Sequence, residues 1–157
     1  MTYIQNNIGK NDEVVKVATI NKLAIAPAIV WIFILLLLAG GVGLLIGLII
    51  LAVSLARVYS THLGFSRKKI IGKSGVLSTN AIDAPLNKVD NVSVSTPLFG
   101  RVFNYSTLSI NTGASIIKFN YIKDVEFFKQ ALLDAIDKYE KEKMKEQAEE
   151  LMRMRNT

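Results

Sequence analysis

The sequence predicts an α+β membrane protein: a two-helix transmembrane hairpin, then an antiparallel β-sheet or split barrel with a long C-terminal helix. Three observations lead to this prediction. Residues 23–56 contain no charged side chain. Residues 59–121 consist of short runs rich in Val, Ile, Thr, Ser and Tyr, punctuated by Gly, Asn and Pro, which is typical of strands and turns. After residue 121 the apolar residues recur at helical spacing instead.

The uncharged stretch is too long for a single membrane crossing. As one helix it would extend about 50 Å, whereas the hydrocarbon core of a bilayer is about 30 Å thick. Gly40 and Gly41 offer a point of reversal, because glycine readily adopts positive φ. We therefore predict two spans, at about 21–38 and 42–58.

A signal peptide and a buried soluble hairpin both fit the apolar stretch less well. A signal peptide would place its apolar core near the N-terminus, but here about twenty mostly polar residues come first. A buried hairpin in a soluble protein would need more surrounding chain than the remaining residues provide.

Positive charges flank the apolar stretch on both sides. Lys16 and Lys22 precede it, Arg57 and a basic run at 67–69 follow it, and the turn at its centre has none. Because Lys and Arg near membrane ends are retained in the cytoplasm, we predict a multi-pass protein with both termini cytoplasmic. In the second span Gly43 and Gly47 form a Gly-x-x-x-Gly pattern, which suits either packing within the hairpin or association of two chains.

Six strands are predicted after the hairpin, at about 59–66, 69–73, 76–84, 91–96, 107–112 and 115–121. Tight turns at 73–75 and 111–114 favour antiparallel pairing, and no helix separates the strands as a parallel sheet would require. The stretch 98–103 is apolar for a connection. It contains Phe99, Arg101 and Phe103, and it could close the core or form an exposed patch that contacts lipid or a partner.

A helix is predicted to follow the strands and to cover the sheet. Its apolar stripe is formed by Val125, Phe128, Leu132, Ala135, Ile136 and Tyr139. Residues 140–157 are highly charged, with Met144 and Leu151 on one side, so they form either a solvated helical tail or a coiled-coil seam. The predicted divisions are an N-terminal cytoplasmic segment 1–20, a hairpin 21–58, a globular domain 59–139 and a charged tail 140–157.

Three runs in this region resemble the bacterial pleckstrin-homology-like (PH-like) domain. They are LGFSRKKIIGKSGVL at 63–77, DAPLNKVDNVSV at 83–94 and PLFGRVFNYSTLSI at 97–110. The resemblance covers roughly residues 20–135, and small membrane proteins of that family carry two helices before this module. It implies a PH-like fold for 59–139, in which a strongly bent antiparallel sheet is closed by a C-terminal helix, and a location at the bacterial inner membrane.

The basic residues Arg67, Lys68, Lys69 and Lys73 are the candidate lipid-binding site. In eukaryotic PH domains the corresponding region often binds phosphoinositide headgroups, and each cation near an anionic surface adds about 1 kcal/mol of attraction. The alternative is that these residues only set the membrane topology.

Catalytic and metal chemistry have little support in the sequence. There is no cysteine and one histidine, His62, without a nucleophile-elbow motif. Asp83 and Asp90 are isolated carboxylates, and no glycine-rich phosphate loop is present. We predict a non-enzymatic protein with no cofactor, metal, nucleic acid or small-molecule substrate.

The expected function is a membrane-anchored cytoplasmic interaction or scaffold module that self-associates. Its candidate interaction residues are Gly43, Gly47, Phe99, Arg101, Phe103, Met144 and Leu151. The alternatives are a sensor that binds anionic lipid headgroups, and an accessory subunit of a membrane transport complex.

Overall fold

The computed structural model describes residues 2–7, 12–76, 79–113 and 115–155. A short helix α1 (Thr2–Asn7) and a strand β1 (Val14–Val17) come first, and a 3₁₀ turn (Lys22–Ile25) leads into a long helical segment α2 (Ala26–Tyr59). The remaining elements are β2 (His62–Ser66), β3 (Lys69–Ser74), β4 (Asn80–Pro85), a 3₁₀ turn (Leu86–Lys88), β5 (Asn91–Ser95), α3 (Leu98–Phe103), β6 (Ser106–Asn111), β7 (Ile116–Ile122) and α4 (Val125–Arg155).

The strands form two antiparallel sheets. One has the order β1-β2-β3-β4 and the other β5-β6-β7. The first turns of α4 cover the space between the sheets, where Phe65 of β2 meets Phe128 of α4 edge-on at 5.4 Å. These features confirm the predicted α+β class with antiparallel sheets and a long C-terminal helix.

The two sheets and the first turns of α4 form a globule. Its core consists of alternate residues of the strands and one stripe of α4. Its fully buried members include Leu63, Phe65, Ile70, Leu108, Ile110, Phe119 and Leu132. Gly72 lies against this core, because a Cβ there would come within 2.6 Å of the Phe119 ring. The predicted stripe on the last helix is therefore the face that it buries.

A strand that the sequence pattern did not predict lies before the hairpin. β1 pairs antiparallel with β2, with Val17 opposite Gly64, and Ala18 N donates to Leu63 O at 2.8 Å. Lys16 also lies over the Phe127 ring of α4, with Nζ 3.1 Å from its centroid. The apolar segment is thus inserted between the first two strands of one sheet, and residues 14–17 belong to the globule.

The helical segment α2 reverses direction at Gly40. Gly40 has φ 55° and ψ −131°, which are not helical angles, and helical turns continue on both sides of it. A Cβ on Gly47 would lie 3.0 Å from Ile32 Cγ1, although the two residues would be about 22 Å apart in a straight helix. A Cβ on Gly43 would meet Leu35 O. The two arms of α2, residues 26–39 and 41–59, therefore pack against each other.

The prediction of two separate helices at 21–38 and 42–58 differs from this arrangement. The structure has one helical segment without a connecting loop, and among the described residues Lys22–Tyr59 counts as a single candidate membrane span by length and composition. The reason is that a single residue, Gly40, makes the reversal, so no loop separates the arms. The apolar surface of the segment suggests membrane association.

The core assignment predicts different costs for two neighbouring substitutions in α4. Leu132 is fully buried, whereas Leu133 is 41% exposed. We expect Leu132→Ala to lower the free energy of unfolding by about 2–5 kcal/mol, because it leaves a cavity in the core. Leu133→Ala is the matched control and should cost less than about 1 kcal/mol. Chemical unfolding of the detergent-solubilised chain, followed by circular dichroism, measures both, and equal losses would contradict the assignment.

Candidate functional site at the base of the hairpin

The globule has two ends, defined by the apolar segment. The proximal end is where residues 20–22 lead into the hairpin and residues 60–62 leave it. β2 runs away from that end for about 13 Å, and β3 returns, so that Lys73 pairs with His62. The turn that joins them, residues 67–68, therefore lies at the opposite, distal end.

Asn21 fastens the start of the hairpin to the globule. Its Nδ2 donates to Phe103 O at 2.7 Å and to Asn104 O at 2.8 Å, and its Oδ1 accepts from Leu23 N at 2.9 Å. Its backbone N–H donates to Tyr121 O at 2.7 Å. Asn21 is buried. This one side chain fixes the position of α3 beside the first residues of the apolar segment.

α3 replaces the connecting loop that was predicted at 98–103. The helix is exposed and apolar at the proximal end, with Leu98 79%, Phe99 58% and Val102 76% exposed. Gly100 is buried, and a larger residue would not fit there because its Cβ would overlap Tyr105 O. The candidate interaction residues Phe99 and Arg101 are exposed here, and Phe103 is half-buried.

A cavity of about 820 Å³ lies between the second arm of α2 and the globule. The arm contributes Ala52, Val53, Ala56 and Arg57 to its wall. The globule contributes Thr61, Ser74, Gly75, Val76, Asn80, Ile116, Lys118, Asn120 and Tyr121. The cavity therefore has a mostly apolar wall along the arm and a more polar wall along the globule, with one cation on each.

Sequence reasoning did not identify this cavity or the role of Asn21. In the sequence Arg57 is a positive charge that flanks the apolar stretch, and Lys118 is separated from it by most of the globular domain. The sequence feature that could have indicated the cavity wall is the alternation along β7. It places Ile116, Lys118 and Asn120 on the outward face of the strand, while Ile117 and Phe119 are buried.

The predicted lipid-binding residues lie mainly at the distal end. Arg67 pairs with Glu13 at 3.1 Å, and Lys69 pairs with Asp83 at 3.3 Å. Lys69 Nζ also donates to the backbone O of Asn7 at 2.6 Å. Lys68 is exposed in the same turn.

Lys73, the fourth predicted lipid-binding residue, is near the proximal end. Its Nζ is 5.7 Å from the ring of Tyr3. The structure therefore does not bring the four cations together, and a headgroup site at them stays a prediction.

The remaining candidate interaction residues fall into two places. Gly43 and Gly47 face the first arm of α2, so their contacts are within one chain. Met144 and Leu151 are exposed on the part of α4 that extends past the globule.

His62 is half-buried at the proximal end, with its ring 6.4 Å from that of Tyr3. Burial and nearby positive charge, including that of Lys73, lower the pKa of His62 below its usual value. The imidazole is therefore neutral at pH 7. Within the described part of the chain, no cluster of His, Asp or Glu has the arrangement of a metal site.

Comparison with known proteins identifies a family and several similar solved structures. The model of a family described as bacterial PH domain matches residues 15–152. A protein with a pleckstrin-homology domain from Shewanella loihica is 8% identical, with a TM-score of 0.44, and the match covers 86% of this chain and 91% of that one. A pleckstrin-homology domain from Shewanella amazonensis is 10% identical, with a TM-score of 0.46, and coverage is 86% and 93%. No functionally curated protein matches.

Removing the Asn21 side chain should loosen α3. Asn21→Ala leaves two backbone carbonyls without their donor, at a cost of about 1–3 kcal/mol, and we expect faster amide hydrogen exchange across residues 98–104. Asn21→Asp keeps the acceptor for Leu23 N but lacks the donors, so it should also release α3. Asn87→Ala, at an exposed site, is the control. Unchanged exchange in Asn21→Ala would show that α3 is held by other contacts.

Proposed function

The chain belongs to the bacterial PH domain family, and from this premise we propose that it is a membrane-anchored, non-enzymatic interaction module. The hairpin lies in the bacterial inner membrane, and the globule rests on the cytoplasmic surface. A protein partner, including a second copy of this chain, binds the part that projects away from the membrane. The PH-like fold is typical of an interaction module. The positions of the membrane and of the partner are inferred from the surfaces described above.

The observation that carries the proposal is the placement of the two ends of the apolar segment. Both ends join the proximal end of one globule, since Asn21 N bonds Tyr121 O and β2 starts directly after α2. Most large side chains between them are exposed, including Trp31, Phe33, Leu37 and Leu38. Exposed apolar surface of this extent requires lipid or a partner to cover it. The helical arms form their backbone hydrogen bonds internally, which a membrane-spanning segment has to do.

The arms are short for a bilayer, at about 21 Å and 28 Å against a core of about 30 Å. A short span is accommodated by local thinning and by flanking side chains that reach to the headgroups. Lys22 and Arg57 flank the arms on the same side. The exposed apolar residues of α3 are beside that level, so the proximal end of the globule sits in the headgroup layer.

The second half of α4 is the surface offered to a protein partner. α4 starts at the proximal end, where Lys123 N donates to Thr19 O, and Tyr139 and Glu142 reach the distal end beside Glu13 and Arg67. Residues 140–155 continue as an exposed helix of about 24 Å. This direction carries Met144 and Leu151 away from the membrane into the cytoplasm, which supports the coiled-coil alternative of the sequence analysis.

The membrane topology can be tested with single cysteines, because the chain has none. We expect Ala39→Cys, at the hairpin turn, to react with an impermeant maleimide on intact spheroplasts. Lys141→Cys, on the projecting helix, should react only after lysis. Labelling of both sites in intact spheroplasts, or of neither site until lysis, would contradict the proposed topology.

Self-association through α4 can be tested by photo-cross-linking in cells. Benzoylphenylalanine placed at Met144 or Leu151 should give a cross-linked species of twice the 17.3 kDa chain mass. The control is the same group at Glu146, on the opposite side of the helix, which should give much less. A single monomer band from all three positions would exclude this surface as the site of self-association.

A further inference from the structure

We propose that the cavity between the second arm of α2 and β7 binds one anionic glycerophospholipid. Its phosphate lies at Arg57 and Lys118, and its acyl chains extend along Ala52 and Val53 into the bilayer. This inference rests on the proposed membrane anchoring and extends that proposal by one defined lipid-binding site.

The charges of the cavity favour an anionic ligand. Arg57 and Lys118 both line it, and no acidic residue does among the residues that the structure describes. Neither cation forms an ion pair within that part of the chain, whereas Arg67 and Lys69 at the distal end each have a carboxylate partner. Two cations without a counter-charge in one cavity attract a phosphate group by direct Coulomb interaction.

The distribution of polarity along the cavity matches the shape of a phospholipid. Ala52, Val53 and Ala56 lie in the last turns of the apolar arm, and Arg57 comes directly after them. The apolar wall of the arm therefore lies nearer the bilayer interior than Arg57 does, as acyl chains lie relative to a headgroup. Ile116, which is exposed on the outward face of β7, adds apolar surface opposite the arm.

The polar wall supplies further groups for a headgroup. Ser74 and Asn80 lie on the adjacent β3 and β4, and Asn120 is on the same face of β7 as Lys118. Hydroxyl and amide groups at this position can bond phosphate or glycerol oxygens. The volume of about 820 Å³ is sufficient for a headgroup and the upper part of the acyl chains. A soluble peptide would have to enter the headgroup layer to reach it, which favours a lipid occupant.

The test is native mass spectrometry of the full chain in detergent, titrated with phosphatidylglycerol or with phosphatidylcholine. We expect phosphatidylglycerol to bind with one-to-one saturation and phosphatidylcholine to bind more weakly. The double variant Arg57→Gln, Lys118→Gln should bind phosphatidylglycerol roughly tenfold or more weakly, since two headgroup-facing charges are lost. Both side chains are exposed, so the substitutions leave the core intact.

The matched control is Arg67→Gln, Lys68→Gln, which makes the same change in net charge at the distal end. Its affinity for phosphatidylglycerol should stay within about twofold of the unchanged chain. Equal weakening in both variants would reveal non-specific attraction, and unchanged binding in the Arg57, Lys118 variant would exclude the cavity. Displacement of the lipid by an equal concentration of inorganic phosphate would identify a phosphate site instead and overturn the lipid assignment.

Cell fractionation separates this inference from the proposed function. If the chain is recovered from membranes but the Arg57, Lys118 variant binds phosphatidylglycerol normally, the lipid site is wrong and the anchoring stands. If the unchanged chain is soluble without detergent, the anchoring itself is wrong.

Discussion

The pairing of β1 with β2 is the interaction on which the rest of the structure depends. These strands are neighbours in space but are separated in sequence by the whole apolar segment, and Ala18 N bonds Leu63 O across that gap at 2.8 Å. The pairing brings the ends of the segment to one end of the globule, so the segment has to reverse. Gly40 provides the reversal, because a residue with a side chain is strained at φ 55°. The β-sheet and the hairpin therefore impose the same geometry on the chain.

Once the proximal end is fixed, antiparallel alternation determines which side chains lie beside the hairpin. Each strand of the first sheet runs towards the hairpin or away from it, so neighbouring turns lie at opposite ends of the globule. This places the basic turn at 67–68 far from the hairpin. The hydrogen bonds of Asn21 place α3 beside the hairpin, and the proximal ends of β3 and β4 line the cavity. Proximity to the apolar segment in sequence is consequently a poor guide to proximity in space.

The sequence was sufficient for the elements whose side-chain period is regular. The six later strands and the buried stripe of α4 agree with the structure to within a few residues, because alternation and helical spacing report which face is buried. β1 was missed because four residues that include Lys16 give too short a pattern. α3 was missed because Gly100 looked like a bend, whereas it is small to avoid Tyr105 O. The cavity was missed because Arg57 and Lys118 come to line one cavity only through tertiary packing.

The insertion of the hairpin within the sheet has a consequence for biogenesis. During synthesis, β1 leaves the ribosome well before its partner strand exists, and in the proposed topology the hydrophobic arms enter the membrane in between. The globule can complete its sheet only after the chain has returned to the side on which β1 was left. In that topology completion of the sheet depends on correct insertion, because a chain that crossed the membrane only once would leave β1 and β2 on opposite sides of it.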